Sequence, residues 1–293
     1  MKVGIYGQPK IKVTKKYIHI LVDILKRDNT TIVFEEKFYA FYKKSNPEID
    51  FDTFQDYNDL DSSFDIFFSV GGDGTFLRSI TFIRDLNIPI IGINTGRLGF
   101  LATVQKEQIQ EAITQIKNKE YILKDRSLLC VDADVPNESL KELNFALNEI
   151  AINRKNTASM ITVETLLDGE YLNTYWSDGL IISTPTGSTG YSLSCGGPII
   201  SPTSQNIVLT PIAPHSLSVR PFVIPDRTII ELHIGSRTKE ALLTLDSRIT
   251  TIPNSSKITI RKCDFTIKTI HLNEQTFIKT LREKLLWGED KRN

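Results

Sequence analysis

Two hydrophobic rhythms alternate over the first third of the chain. Short, unbroken apolar runs at Val3 to Tyr6, Ile66 to Val70 and Ile88 to Ile93 have the length and composition of buried strands. Other apolar residues recur at helical spacing. These are Val13, Tyr17, Ile20, Leu21, Ile24 and Leu25, then Phe76, Leu77, Ile80 and Ile83, then Ile109, Ala112, Ile113 and Ile116. Strands alternating with helices predict βαβ units, so residues 1–122 are expected to form an α/β domain with a parallel sheet.

From about Leu123 the rhythm shortens. Ile161 and Val163 alternate with polar residues, Asp168-Gly169 follows, and Tyr171, Asn173 and Tyr175 resume the alternation. Asp-Gly between alternating runs predicts a hairpin, because the tight turn needs positive φ. Further runs at 180–183, 207–210, 229–234, 242–245, 249–252 and 258–260 predict a β-rich, β-sandwich-like second domain over residues 123–273. Phe277, Ile278, Leu281 and Leu285 return to helical spacing. A C-terminal helix over 274–293 is therefore expected, packing back on the first domain.

Composition narrows the class. The 293 residues suit two domains of about 150 residues each. Lysine plus arginine and aspartate plus glutamate number 35 each, so no basic field exists to hold nucleic acid or an anionic membrane. No apolar stretch approaches the ~20 residues of a membrane span, and the N-terminus reads as a first strand rather than a signal peptide. The expectation is a cytoplasmic protein with neither a nucleic-acid nor a membrane partner. Three scattered cysteines, Cys130, Cys195 and Cys263, form no CxxC pair and support neither a disulfide framework nor a zinc site.

Candidate chemistry begins at Gly71-Gly72-Asp73-Gly74-Thr75, between a strand run and a helical face. Glycines let backbone amides approach a ligand, and amides at a helix N-terminus favour phosphate. A carboxylate among them is either a helix cap or a group that serves a nucleophilic hydroxyl or a phosphate-bound magnesium ion. Arg78, one turn on, either adds positive charge to that site or is a solvated helix residue.

The GGDGT loop is similar to one shared by NAD kinases, diacylglycerol and sphingosine kinases and, as GGDGS, 6-phosphofructokinases. Later segments choose among these. Asn94-Thr95-Gly96-Arg97-Leu98-Gly99-Phe100-Leu101 resembles the NxGxLGFL segment of NAD kinases, and Asn148-Glu149 matches their NE pair. The string from Asp178 to Ser194, DGLIISTPTGSTGYSLS, resembles their DGLIxSTPTGSTAYxxS signature, with Gly190 where alanine is common. Ala213-Pro214-His215-Ser216-Leu217-Ser218-Val219-Arg220-Pro221 resembles their PHSLSxRP segment, in which His215 is read as structural. Asp246-Ser247-Arg248 departs from their usual DGQ.

The resemblance implies transfer of the γ-phosphoryl group of ATP to the 2′-hydroxyl of the adenosine ribose of NAD, with Asp73 as general base. Gly71, Gly72, Gly74, Thr75 and Arg78 are then expected at phosphates. Asn148, Glu149, Asp178, Thr186, Thr189, Gly190, Tyr191, Ser192, Leu193, Ser194 and Ala213 are expected at the dinucleotide, which would lie between the domains. Magnesium (Mg2+) or another divalent cation is implied with ATP, although the sequence shows no dedicated metal cage. A homodimer or homotetramer is implied as well. A diacylglycerol-type lipid kinase would keep GGDGT without predicting TPTGSTGYS, and a non-catalytic dinucleotide sensor would not need Asp73.

Overall fold

The computed structural model of the protein describes residues 1–8, 12–135, 137–156, 159–236, 239–273 and 275–287. The chain divides into two compact units, Met1–Asp125 with Ile267–Asn293, and Arg126–Thr266.

The first unit begins β1 (Lys2–Gly7), α1 (Lys12–Arg27), β2 (Thr31–Glu35), α2 (Glu36–Lys43), β3 (Asp52–Phe54), β4 (Ile66–Gly71), α3 (Asp73–Ile83), β5 (Ile90–Asn94), β6 (Val104–Gln105) and α4 (Ile109–Lys117). Its strands pair in parallel in the order β5-β4-β1-β2-β3, with β6 on the far side of β5. The expected runs supply its centre. Val3, Ile5, Phe68 and Ile91 face Ile18, Leu21, Leu25, Ile109 and Ile113 in one core. A fully buried side chain of this size contributes roughly 1.5–3 kcal/mol, so the apolar faces fix which way each strand and helix turns.

The segment from Thr31 to Phe54 is legible only in the structure. Strand β2 passes directly into α2, because Glu35 caps the helix by accepting the Phe38 N–H at 2.8 Å. In Thr-Ile-Val-Phe-Glu-Glu-Lys-Phe-Tyr the two rhythms therefore abut with no punctuating glycine or proline. Phe34 then packs against Phe38, Tyr39, Tyr42 and Phe51 with ring centroids 5.3–6.2 Å apart.

The second unit contains most of β7 (Tyr121–Ala133), then α5 (Glu138–Lys141), β8 (Phe145–Ala146), β9 (Glu149–Arg154), β10 (Ile161–Leu167), β11 (Glu170–Ser177), β12 (Gly179–Ser183), α6 (Tyr191–Ser194), β13 (Asn206–Ile212), β14 (Phe222–Pro225), β15 (Ile230–Ser236), β16 (Glu240–Leu245), β17 (Arg248–Pro253) and the first part of β18 (Lys257–Leu272). One sheet runs β14-β13-β12-β9-β16-β17, and β11-β10-β15-β18 are consecutive neighbours in the other. Strand β18 continues into the first unit, where Thr269 pairs in parallel with Ile90 of β5. The pairings among the second unit's strands in these two runs are antiparallel. Ile150, Ile152, Leu180 and Leu243 from the first sheet share a core with Val163, Leu232 and Ile258 from the second. The Asp168-Gly169 turn closes the β10–β11 hairpin with φ of 51° and 83°.

One expectation fails. Cys130 on β7 and Cys263 on β18 are joined in a disulfide with Cα atoms 5.1 Å apart. They are separated by 133 residues, and strand pairing alone brings them together. Cys195 is free.

The last element, α7 (Phe277–Leu285), belongs to the first unit. Thr276 caps it by accepting the Lys279 N–H at 3.1 Å, and Leu286 turns left-handed with φ of 56° and ends it. Residues 274 and 288–293 of the expected 274–293 helix lie outside the described residues.

Candidate active site

Strands β4 and β5 are neighbours, and Gly71 pairs with Asn94 at their ends. The GGDGT and NTGRLGFL segments therefore leave the sheet side by side, at the carboxyl ends of parallel strands, where open α/β sheets bind ligands. Gly72 is the N-cap of α3, and Asp73 is its first helical residue. First-turn amides of a helix have no intrahelical acceptor and carry partial positive charge, which suits a phosphate.

Asp73 does not cap its own helix. Its Oδ2 accepts the N–H of Phe100 at 2.8 Å, and its Oδ1 accepts those of Leu101 and Ala102, each at 3.0 Å. The loop that delivers these amides is folded around Asn94. That side chain donates to the carbonyls of Arg97 at 2.6 Å and Ala102 at 3.3 Å, and accepts the Gly96 N–H at 2.7 Å. Helix α7 braces the same loop from outside. Lys284 donates to the Leu98 carbonyl at 2.8 Å, and Phe277 packs on Phe100 with centroids 6.2 Å apart.

Thr75 is buried, its side chain packed over Gly71, while Gly72 and Gly74 border open space. Arg78 is exposed on α3, and both it and Glu35 are near enough to act on the Tyr6 phenol. Burial outweighs the arginine and raises the Tyr6 pKa.

In the second unit, Asn148 and Glu149 enter β9 with their backbone fully engaged. The N–H groups of Leu147, Asn148 and Glu149 donate to the Asp246 carboxylate at 2.9, 2.8 and 3.1 Å. The Leu147 carbonyl accepts the Thr184 hydroxyl at 2.6 Å, and the Asn148 carbonyl accepts the Thr184 N–H at 2.9 Å. What remains is on the side chains: Asn148 Oδ1 and Glu149 Oε2 are buried with no hydrogen-bond partner. Unpaired buried oxygens are costly, so each of these two atoms calls for a partner that the protein's own groups do not supply. Burial, and then the negative charge of Asp246, raise the Glu149 pKa to about 8, against the Tyr191 N–H that it accepts. Burial raises Asp246 as well, against its three amide bonds and Arg248. Glu149 is the member of the pair that holds the proton, since its Oε2 has no donor while both Asp246 oxygens are occupied.

Gly190 stands over these groups. A Cβ there would lie 3.1 Å from Glu149 Oε2 and 3.3 Å from Asn148 Nδ2. Tyr191 follows, itself 41% exposed, and its phenol senses the charges of Asp178 and Glu149. Asp178 is oriented by Arg154 at 2.9 Å. Ala213, at φ 44°, follows Ile212, whose carbonyl accepts the Asp178 N–H at 2.9 Å. These candidates therefore cluster on one side of the unit. Others face inward or fold their own loop. Ser192 is fully buried, its hydroxyl 2.8 Å from that of Thr210. Thr186 is buried, and Thr189 bonds back to the Thr186 carbonyl at 3.3 Å. Leu193 is half-buried and Ser194 exposed. His215 is exposed and tied through its backbone N–H to the Trp176 carbonyl at 2.8 Å.

Comparison with known proteins follows the same division. Residues 3–121 match the family model of the ATP-NAD kinase N-terminal domain, and residues 147–272 that of the C-terminal domain. The NAD kinase of Christiangramia forsetii is 52% identical over 294 residues, covering 100% of both chains. The chain belongs to the NAD kinase family. The NAD kinase of Bacteroides fragilis is 42% identical, again over 100% of both chains. Among solved structures, an NAD kinase from Archaeoglobus fulgidus in complex with ATP matches with a TM-score of 0.74 at 26% identity, covering 98% of this chain and 99% of that one. Yeast NADH kinase complexed with NADH shares the fold, with a TM-score of 0.86 at 22% identity over 99% of this chain and 88% of that one. A diacylglycerol-type lipid kinase accounts for GGDGT but not for the match over residues 147–272.

Within this NAD kinase fold, sequence reasoning overlooked the amides of Phe100 to Ala102, the Thr184 hydroxyl and the Asp246 carboxylate. Backbone donors carry no residue signature, and Asp246 lies 97–99 positions from the amides it receives. Only its place in an otherwise altered DGQ motif pointed to it. Arg248, the altered position, donates to the carbonyls of Leu143, at 2.7 Å, and Phe145, and lies over the Phe145 ring.

Proposed function

We propose that the protein phosphorylates the 2′-hydroxyl of the adenosine ribose of NAD with the γ-phosphoryl group of ATP, giving NADP and ADP. The anchoring of Asp73 carries this reading. An ionised carboxylate offers about four acceptor sites. Three are filled by the amides of Phe100, Leu101 and Ala102, which leaves one on Oδ2 at a fixed position. That site accepts the proton of the 2′-hydroxyl as its oxygen bonds to the γ-phosphorus and the bond to the bridging oxygen of ADP breaks. Phosphoryl transfer depends chiefly on positioning and charge stabilisation, and a fixed base beside helix amides supplies both.

The Thr75 N–H of α3 donates to the Gly72 carbonyl at 2.9 Å, so the Asp73 and Gly74 amides are the first-turn donors assigned to phosphate oxygens, and Arg78 adds positive charge one turn on. Asn148, Glu149, Asp178, Gly190, Tyr191 and Ala213 form the dinucleotide-recognition side. Among the described residues no three His, Cys, Asp or Glu side chains gather to hold a metal ion. Magnesium or another divalent cation would accordingly enter on the phosphates of ATP.

No described helix is long and apolar enough to cross a membrane. The same reading takes the protein as a cytoplasmic homodimer or homotetramer. Incubation with ATP, magnesium and NAD should yield NADP. Phosphorylation of diacylglycerol without NADP formation would overturn the assignment.

A further inference from the structure

The Leu147–Glu149 segment is held from two sides. Three consecutive N–H groups point into one carboxylate, that of Asp246 in the turn between β16 and β17. The carbonyls of Leu147 and Asn148 point into Thr184, at the end of β12, and Ser183 adds a hydroxyl bond to the Asn148 carbonyl at 3.3 Å. Part of Asp246 is exposed, yet both its oxygens are turned onto backbone amides. A free Asp-Gly-type turn would need none of these bonds, since the β16–β17 hairpin is already closed by its own pairing from Leu245 to Arg248.

We propose that Asp246 is a positioning residue for the dinucleotide: its carboxylate locks the Leu147–Glu149 backbone so that Asn148 Oδ1 and Glu149 Oε2 are presented, unpaired, to NAD. This rests on the NAD kinase reading of the same site. Arg248 holds the other end of the arrangement, fastening the Leu143 and Phe145 carbonyls just upstream. The chain thus uses the position that departs from DGQ to secure the approach to Asn148.

A second effect accompanies the first. The titratable and charged groups facing Glu149 are Asp246 from the β16–β17 turn and Tyr191 from α6, and Arg248 acts on Asp246. The Asp246 charge favours the protonated form of Glu149, so the positioning residue also sets whether Glu149 offers the ligand a donor.

The test compares Asp246→Asn with the wild-type full chain. Asparagine retains one oxygen for the Asn148 and Glu149 amides but turns an NH2 group on the Leu147 N–H and removes the charge. The KM for NAD should rise about tenfold, the scale of a lost bond to a charged acceptor, while the KM for ATP stays put. The pH midpoint of the NAD dependence should move to lower pH, because Glu149 loses the charge that raises it. A purely structural weakening would not move that midpoint. If Asp246→Asn does not fold, Thr184→Val decides the question by removing the clamp on the Leu147 carbonyl, and the NAD-specific rise in KM is again expected. Wild-type values in the folded variant would overturn the proposal. Calorimetric titration of wild type with NAD alone separates the two layers. Failure to bind NAD sinks both, whereas normal wild-type binding with unaltered variants sinks only the positioning role.

Discussion

Gly99 lies against Asp73 so closely that a Cβ at position 99 would sit 1.9 Å from Asp73 Oδ1. No side chain fits there unless the carboxylate or the loop that holds it moves. Gly99→Ala should therefore spoil the alignment of Asp73 without touching either substrate. A shift on the ångström scale costs about 10²-fold in turnover. Steady-state kinetics with a parallel melting curve checks this, and an unchanged kcat in folded protein would show that the alignment is not needed.

The raised pKa of Glu149 makes stability depend on pH. The folded protein holds a proton on Glu149 that the unfolded chain releases above its ordinary value of 4.5, and keeps it to about 8. Between these values the native state binds more protons, so this group's contribution to stability is present at low pH and is lost as pH rises through about 8. Glu149→Gln should remove that part of the slope. Urea midpoints measured from pH 4.5 to 9 would reveal it, and identical slopes for the two proteins would contradict the assignment.

Tyr191 presents a half-exposed ring beside Gly190 and the Asn148–Glu149 pair. An aromatic contact contributes about 0.5–1.5 kcal/mol beyond burial, so Tyr191→Ala should raise the KM for NAD several-fold. The fold should persist, because the ring is outside both cores. An unaltered KM would mean that the ring does not meet the dinucleotide.

The Cys130–Cys263 disulfide closes a long loop within the second unit. Bridges of this kind contribute about 2–4 kcal/mol, mostly by restricting the unfolded chain. Cys130→Ser should lower the melting temperature, and a reductant should lower that of wild type but not of the variant. Equal melting of the two proteins without reductant would show that the bridge does not stabilise the fold.

The parts of this molecule that were legible in its sequence are those coded locally. Ile66 to Val70 and the Phe76, Ile80, Ile83 face announce β4 and α3 by period alone, and Asp168-Gly169 announces its hairpin by turn chemistry. Motif strings located the GGDGT loop and the Asn148–Glu149 pair. What stayed hidden depends on partners far along the chain. The residues that hold Asp73 cannot be read from GGDGT, because its carboxylate is anchored by amides 27–29 positions away. Cys130 and Cys263 read as unrelated until β7 and β18 lie side by side. Strand β2 escaped notice because Glu35 ends it and starts α2 in one step.

In the proposed reaction Asp73 takes the proton, and Asp73→Asn tests that role most directly. Asparagine keeps an oxygen for the Leu101 and Ala102 amides but cannot accept the 2′-hydroxyl proton. A positioned base contributes about 10²–10⁴-fold in rate. NADP formation from ATP and NAD should fall by that order in the variant, while calorimetry shows NAD still bound. Turnover near that of wild type, with the variant folded and NAD bound, would contradict the account and leave GGDGT as a phosphate-binding turn.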